Sequence, residues 1–237
     1  MCYDLETNGF HPSILQFAFI GFDSKKQERI QLIEYVNPGE ALDRRGAEVH
    51  GISSVQLAGM EPFDFYKSDI MSLLQGSVLI GFNNHTFDDP KLANQLGITI
   101  DELNETLWCN IDIMRLCQRN NINGNLESVT ERFSLQNPMP HNAHTDVGVT
   151  LRLLHRLLAE ENIELPEEIG ISKVDFMEMI EQCVDIEDED YLIIERESAE
   201  MYTSLVSDDR VQFGPHAGKT MDELRELDKF LWRQLSD

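Results

Sequence analysis

The sequence predicts an α/β fold in which one mixed β-sheet is flanked by helices. Two observations support this prediction. Residues 13–23 and 28–36 are rich in Ile, Leu and Phe with partial alternation, which is typical of strands, and the short run 1–6 is taken as a third strand. Further along the chain, helical patterns alternate with short apolar runs. Three strands followed by alternating helices and strands are typical of a sheet covered by helices.

The first three strands are predicted to form an antiparallel meander that ends at Asn37-Pro38-Gly39, a combination that breaks regular structure. Only Met1-Cys2-Tyr3 precede Asp4, so the first strand is either short or begins upstream. Two later strands are expected at Ser77–Phe82 and into Ile111. Helices are predicted near 44–50, 63–75, 88–96, 112–119, 125–133 and 145–160.

The composition changes after residue 160. Residues 161–200 contain 15 acidic and two basic side chains, including the run Glu187-Asp188-Glu189-Asp190. We predict a body at 1–160, an acidic and partly helical linker at 161–205, and a small module at 206–237. The linker is expected to carry one helix, at about 172–184, and otherwise to be a solvated connector.

The net charge of the chain is −24, from 43 acidic and 19 basic residues. Such a charge repels nucleic acids and argues against a tight grip on a long duplex. The four cysteines form no C-x-x-C pair, so we expect a reduced cytoplasmic protein without structural zinc. No apolar run reaches the ~20 residues of a membrane span, so no membrane partner is expected.

Two acidic residues lie near the start of the sequence. Asp4 and Glu6 are two positions apart, so on a strand both side chains point to one face. Side-by-side carboxylates repel each other unless a cation lies between them. The alternative is a strand end with two solvated acids.

Two later motifs add acidic residues and a histidine. Asn84-His85-Thr86-Phe87-Asp88 follows a predicted strand, and Asp88 opens the next helix; Asp88 or Asp89 could instead cap that helix. Farther on, His141 precedes Asp146 with four residues between them. The near-neutral pKa of histidine suits a general base, and His144 is a competitor for that role.

The three motifs together supply what phosphodiester hydrolysis requires. Two Mg²⁺ or Mn²⁺ ions about 3.5–4 Å apart can activate water and neutralise charge, and such hard cations prefer carboxylate oxygens. In this order, the motifs resemble those of the DnaQ-like 3′→5′ exonucleases of the DEDDh type, over roughly residues 1–158. The resemblance implies a ribonuclease-H-like fold and His141 as the catalytic base. It implies these metal ligands: Asp4, Glu6, Asp88 (with Asp89 as the alternative) and Asp146.

The resemblance also implies residues that bind the 3′-terminal nucleotides. His50 lies in Glu48-Val49-His50-Gly51-Ile52-Ser53, which is similar to a V-H-G-I-[ST] segment of the family. Phe10 is expected to stack on a base without sequence preference. The full set of expected substrate-binding residues is Thr7, Asn8, Phe10, His50 and His85.

The C-terminal residues resemble the small module of exonuclease X-like proteins. The resemblance is carried by Val211-Gln212-Phe213-Gly214, Gly218-Lys219-Thr220 and Leu231-Trp232. It suggests contact with nucleic acid or a protein partner through Lys219 and Trp232, and a purely structural hairpin is the alternative. The acidic linker could likewise bind a partner or inhibit the enzyme by mimicking DNA.

The sequence therefore predicts a two-metal-ion 3′→5′ exonuclease. Its expected substrate is the 3′ end of single-stranded DNA, its products are nucleoside 5′-monophosphates, and DNA repair is the expected context. One alternative is an exoribonuclease of the same subtype, because nothing identifies a sensor for the 2′-hydroxyl group. Another is a polymerase-associated accessory subunit or a non-catalytic interaction module.

Overall fold

A computed structural model describes residues 1–9, 11–160 and 163–184, together with 206–207, 210–211 and 220. Its main sheet has five strands in the order β3-β2-β1-β4-β5. The first three strands are antiparallel neighbours, whereas β4 and β5 join the sheet in parallel. This confirms the predicted meander and the mixed sheet. The strands are β1 (Cys2–Thr7), β2 (Ile14–Asp23), β3 (Glu28–Tyr35), β4 (Val78–Gly81) and β5 (Cys109–Asp112).

Nine α-helices lie within residues 11–160 and 163–184: α1 (Arg44–His50), α2 (Ser54–Leu57), α3 (Lys67–Leu74), α4 (Asp88–Leu96), α5 (Ile100–Thr106), α6 (Ile113–Arg119), α7 (Leu126–Arg132), α8 (Ala143–Glu160) and α9 (Lys173–Cys183). Most of them lie where the sequence predicts helices. The short helices α2 and α5 were not predicted. A capping box, in which Thr99 and Glu102 bond reciprocally, marks the start of α5 and could have revealed it.

The two faces of the sheet are covered by different helices. Cys2 of β1 packs in one apolar cluster with Val147 and Leu151 of α8. Tyr3, the next residue, packs in a second cluster with Leu92 of α4. Because side chains alternate along a strand, Asp4 and Glu6 point to the same face as Cys2, which is the face that α8 covers.

The described part of the predicted linker, residues 163–184, packs on the body. Phe176 and Ile180 of α9 are buried in the same cluster as Cys2 and the apolar side of α8. Residues 206–207 and 210–211 form a short antiparallel pair, β6 (Val206–Ser207) and β7 (Arg210–Val211). The domain boundaries stay predictions, and the acidic run, Lys219 and Trp232 lie outside the described residues. No helix in the described part of the chain is both long and apolar enough to cross a bilayer.

Candidate active site

The start of helix α8 is fixed to the sheet by Gln16, a buried residue of β2. Gln16 lies opposite Glu6 in the strand register. Its Oε1 accepts a hydrogen bond from the backbone N–H of Ala143 at 3.0 Å, and its Nε2 donates to Oδ1 of Asn142 at 3.5 Å. Asn142 in turn caps the helix, since its Oδ1 accepts two first-turn N–H groups at 3.1 and 3.4 Å. These contacts bring Asp146, in the first turn, to the side of the sheet that carries Glu6.

The loop before α8 places His141 next to Asp146 in the first turn of that helix. The backbone N–H of His141 donates to Oδ2 of Asp146 at 3.1 Å, and Nδ2 of Asn137 donates to its Oδ1. His141 has a φ of 65°, a conformation that is uncommon for a non-glycine residue and concentrated at functional sites. One ligand atom from each of Glu6, His141 and Asp146 lies within 4.8 Å of the others. The exposed His141 therefore adjoins two buried carboxylates.

Asp88 is the first residue of helix α4. The N-cap of α4 is Phe87, which makes no side-chain capping bond, so neither Asp88 nor Asp89 caps the helix. Burial is the largest influence on the pKa of Asp88 and raises it, whereas the backbone N–H of Leu5 in β1 acts in the opposite direction. Asp88 therefore lies close to the strand that carries Asp4 and Glu6.

Asp89, by contrast, is saturated by structural hydrogen bonds. Its carboxylate accepts from the hydroxyl of Tyr3, from Nδ2 of Asn84 at 3.3 Å and from Nδ2 of Asn110 at 2.9 Å. These donors tie α4 to strands β1 and β5. The geometry therefore favours Asp88 over Asp89 as the ligand-type carboxylate.

Electrostatic repulsion links four carboxylates: the buried Glu6, Asp88 and Asp146 and the half-buried Asp4. Burial raises the pKa of Asp4 well above its ordinary value, and repulsion from Asp146, Asp88 and Glu6 raises it further. Burial followed by repulsion from Asp146 and Asp88 raises the pKa of Glu6 in the same way. The pKa of Asp88 is also raised, first by burial and then by Asp89. Burial raises the pKa of Asp146 to about 6.

This cluster fits divalent metal ions. Buried carboxylates that repel one another are stabilised by a cation among them, and carboxylate oxygens are the donors that Mg²⁺ and Mn²⁺ prefer. Asp4, Glu6, Asp88 and Asp146 could therefore hold the expected ions.

Lys91 is a part of the site that the sequence analysis missed. Its Nζ donates to Oγ1 of Thr7 at 2.7 Å and to the carbonyl oxygen of Gly9 at 3.4 Å, and it lies 3.2 Å from the ring centroid of Phe87. Burial lowers its pKa to about 8, although nearby Asp88 and Glu6 act in the opposite direction. A lysine in a polar helical pattern carries no sequence signal that it lies in a functional site. The positions of Gln16 and Asn137 likewise could not be predicted from the sequence.

Two of the residues expected to bind substrate lie at the end of β1, next to Glu6. Thr7 and Asn8 follow Glu6 directly, and the side-chain amide of Asn8 donates to Glu40 and to the carbonyl oxygen of Ala41 at 3.1 and 3.0 Å. The role of Asn8 in substrate binding stays a prediction. Phe10 lies outside the described residues.

His50 lies near His141 and is held in one tautomer. Its Nδ1 accepts the backbone N–H of Ile52 at 3.0 Å, and its Nε2 is buried without a hydrogen-bond partner among the described residues. Burial, followed by the proximity of His141, lowers the pKa of His50 to about 4, so its ring is neutral at pH 7 with the proton on Nε2. Nε2 of His85 is also buried without a partner in the described chain. Both side chains retain an unused hydrogen-bonding atom.

Comparisons with known proteins identify a family and related proteins. A family model described as an exonuclease, RNase T, matches residues 1–154. The 3′-5′ exonuclease DinG of Bacillus subtilis (strain 168) is 25% identical over 171 residues, which cover 65% of this chain and 17% of DinG.

Solved structures of exonuclease I from E. coli share the fold. The complex with a dT13 oligonucleotide superposes with a TM-score of 0.54 at 22% identity, over 65% of this chain and 40% of the other. The zinc-bound complex with single-stranded DNA gives 0.56 at 21% identity, over 68% and 41%. This chain thus spans less than half the length of these relatives. The likeness confirms the fold expected for the DnaQ-like group.

Proposed function

This chain belongs to the RNase T exonuclease family, and on that premise we propose that it is a two-metal-ion 3′→5′ exonuclease. The proposed substrate is the 3′ end of single-stranded DNA, and the proposed products are nucleoside 5′-monophosphates. The observation that carries the proposal is the group of mutually repelling carboxylates of Asp4, Glu6, Asp88 and Asp146, with a ring nitrogen of His141 within 4.8 Å of carboxylate oxygens of Glu6 and Asp146. Such a cluster is costly to bury without cations, and a purely structural site would not require it.

The four carboxylates would hold two divalent ions, Mg²⁺ or Mn²⁺. Bound there, the ions would supply the Lewis acidity that neutralises charge on the attacking and leaving oxygens of the phosphodiester. The rigid placement of the ligands supports this role. Gln16, which lies opposite Glu6 in the sheet, holds the first turn of the helix that carries Asp146.

His141 is the proposed general base. It lies on an exposed loop, next to Glu6 and Asp146, so its ring can take the proton of the attacking water and pass it to solvent. Its backbone N–H remains bonded to Asp146, which couples the position of the loop to a ligand carboxylate. His144 is not among the residues whose ligand atoms lie within 4.8 Å of those of Glu6 and Asp146.

The 3′-terminal nucleotide is proposed to bind at Thr7, Asn8, Phe10, His50 and His85. His50 supports this proposal most directly, because its neutral ring presents an Nε2–H donor near His141. A neutral donor suits a phosphate or sugar oxygen without adding charge that would compete with metal ions.

Single-stranded DNA is proposed as the substrate for two reasons. Exonuclease I, which shares this fold, was solved with dT13, and the excess of acidic residues outside the cluster favours contact with a short strand end over a long duplex. Cytoplasmic DNA repair is the proposed context, and the acidic segment and C-terminal residues are proposed sites for a protein partner.

The test is a matched time course with 5′-labelled single-stranded DNA and RNA of one sequence, in Mg²⁺, Mn²⁺ or EDTA. We expect a metal-dependent ladder that shortens from the 3′ end, with DNA degraded faster than RNA. The Asp146→Asn variant should be inactive, and Asp101→Asn, which changes an exposed acid on α5, should match the wild type. Faster degradation of RNA would instead identify an exoribonuclease. Absence of degradation with either metal would contradict the proposal and favour a partner-dependent or non-catalytic role.

A further inference from the structure

Lys91 connects the two elements that carry the metal-type ligands. It lies three residues after Asp88 on α4, so both side chains are on one side of the helix. Its hydrogen-bond acceptor Thr7 follows Glu6 directly on β1. One side chain therefore joins the helix of Asp88 to the strand of Glu6, at a position next to each ligand.

The loop that Lys91 holds leaves β1 through a tight turn. Thr7 Oγ1 donates to the carbonyl oxygen of Gly9 at 3.1 Å while it accepts the hydrogen bond from Lys91. Gly9 has a φ of 63°, and Gly46 packs against it so closely that a Cβ at Gly46 would lie 2.9 Å from the Gly9 nitrogen. The turn is thus enclosed between α1 on one side and Lys91 on the other.

The position of the Lys91 ammonium is itself fixed. It lies over the ring of Phe87, which precedes Asp88, and it has two oxygen acceptors in the turn. A solvated surface lysine does not make three such contacts. An ordered ammonium of this kind can hold a loop at a defined distance from a helix.

We propose that Lys91 is a positioning residue that holds the Thr7–Gly9 turn at a fixed distance from Asp88, so that the 3′-terminal nucleotide binds in register with the acidic cluster. This inference rests on the proposed exonuclease function. Lys91 acts through Thr7 and Gly9 rather than on the reacting atoms. Loosening the turn weakens the binding of ground state and transition state alike, so it raises KM and leaves kcat nearly unchanged.

The test compares variants that break the same contact from its two sides. Lys91→Met keeps the aliphatic stem and removes the donor, whereas Thr7→Val removes the acceptor and keeps the charge of Lys91. Each is expected to raise KM for a single-stranded oligonucleotide by about tenfold, with kcat within about threefold of the wild type. Thr7→Ser, which retains the hydroxyl group, should restore the wild-type KM.

The double variant tests whether Lys91 and Thr7 act through the contact that they share or independently of each other. Both substitutions remove the Lys91–Thr7 hydrogen bond, and each also removes one contact of its own with the carbonyl oxygen of Gly9. The rise in KM of Lys91→Met/Thr7→Val should therefore be smaller than the product of the two single effects. Lys67→Met is the matched control, since Lys67 pairs with Asp64 on the surface at 2.7 Å. It should leave KM and kcat unchanged.

A binding measurement provides a readout that does not depend on turnover. Fluorescence anisotropy of a labelled oligonucleotide in Ca²⁺ should show the same tenfold weakening in Lys91→Met and Thr7→Val, with melting temperatures close to that of the wild type. The inference about Lys91 would be overturned if Lys91→Met left KM and Kd unchanged, or if the two single effects multiplied in the double variant. In either case, an active wild type would still support the proposed exonuclease function. A wild type that neither binds nor degrades the oligonucleotide would overturn the proposed function and this inference with it.

Discussion

Replacing Asp146 by asparagine should stabilise the metal-free protein while it abolishes hydrolysis. The Asp146 carboxyl is buried among other carboxylates, and burial raises its pKa from an ordinary value of 3.8 to about 6. The folded state therefore holds an additional proton between these two values. Above pH 7 the folded protein must carry a destabilised charge, which costs about 3 kcal/mol at 1.36 kcal/mol per pKa unit.

Asparagine removes that charge at nearly constant volume, but it also disturbs one of two hydrogen bonds. Asp146 accepts from Asn137 and from the backbone N–H of His141, and an amide can accept well at only one oxygen. A lost hydrogen bond costs about 1 kcal/mol, so the net gain is about 2 kcal/mol. For a domain of this size, that gain raises the melting temperature by roughly 4–8 °C at pH 7.5.

The assay is thermal unfolding in EDTA across a pH series, alongside hydrolysis of single-stranded DNA in Mg²⁺. The advantage of Asp146→Asn should shrink as the pH falls from 7 to 4, because the wild-type carboxyl then becomes protonated in the folded state. Mg²⁺ should stabilise the wild type and not the variant. Activity should fall by more than about a hundredfold. An Asp146→Asn protein that melts below the wild type in EDTA at pH 7.5, or that still hydrolyses DNA at the wild-type rate, would refute the reasoning.

Three further predictions concern the proposed base, the two adjacent aspartates of α4 and the contact that holds α8. His141→Gln should lower kcat by about 10²–10⁴-fold, whereas the kcat of His144→Gln should stay within a few-fold of the wild-type value. Equal losses of kcat in steady-state assays would contradict the choice of His141 as the base. Asp88→Asn should abolish hydrolysis without lowering the melting temperature in EDTA, because burial raises the pKa of Asp88 as it does that of Asp146. Asp89→Asn should instead lose about 1–3 kcal/mol of stability and keep activity, because it disrupts a saturated buried carboxylate. The reverse pattern in chemical denaturation and rate measurements would show that the assignment is wrong. Gln16→Leu should lower the free energy of unfolding by about 1–3 kcal/mol and reduce activity, since the first turn of α8 loses its contact with β2. An unchanged free energy of unfolding and an unchanged rate of hydrolysis would show that this contact does not position the helix.

Much of the fold could be predicted because its signals are local. The first three strands and helix α4 follow from alternation and helical periodicity, which depend on a few adjacent residues. Helices α2 and α5 were missed because they are short and their apolar residues are few. The packing of residues 163–184 on the body was not expected from their acidic composition, since Phe176 and Ile180 are buried within it.

The sequence by itself determined which functional side chains are available and the order in which they occur. The two-residue spacing of Asp4 and Glu6, together with His141 and Asp146, predicts a cluster of carboxylates because strand geometry and motif order are properties of the chain. Only the tertiary structure decided which of the neighbouring aspartates is saturated, that Gln16 fixes the helix of Asp146, and that Lys91 reaches Thr7. The physical reason is that these contacts join residues more than 20 positions apart. Their geometry depends on how helices pack on the sheet, which local patterns do not encode.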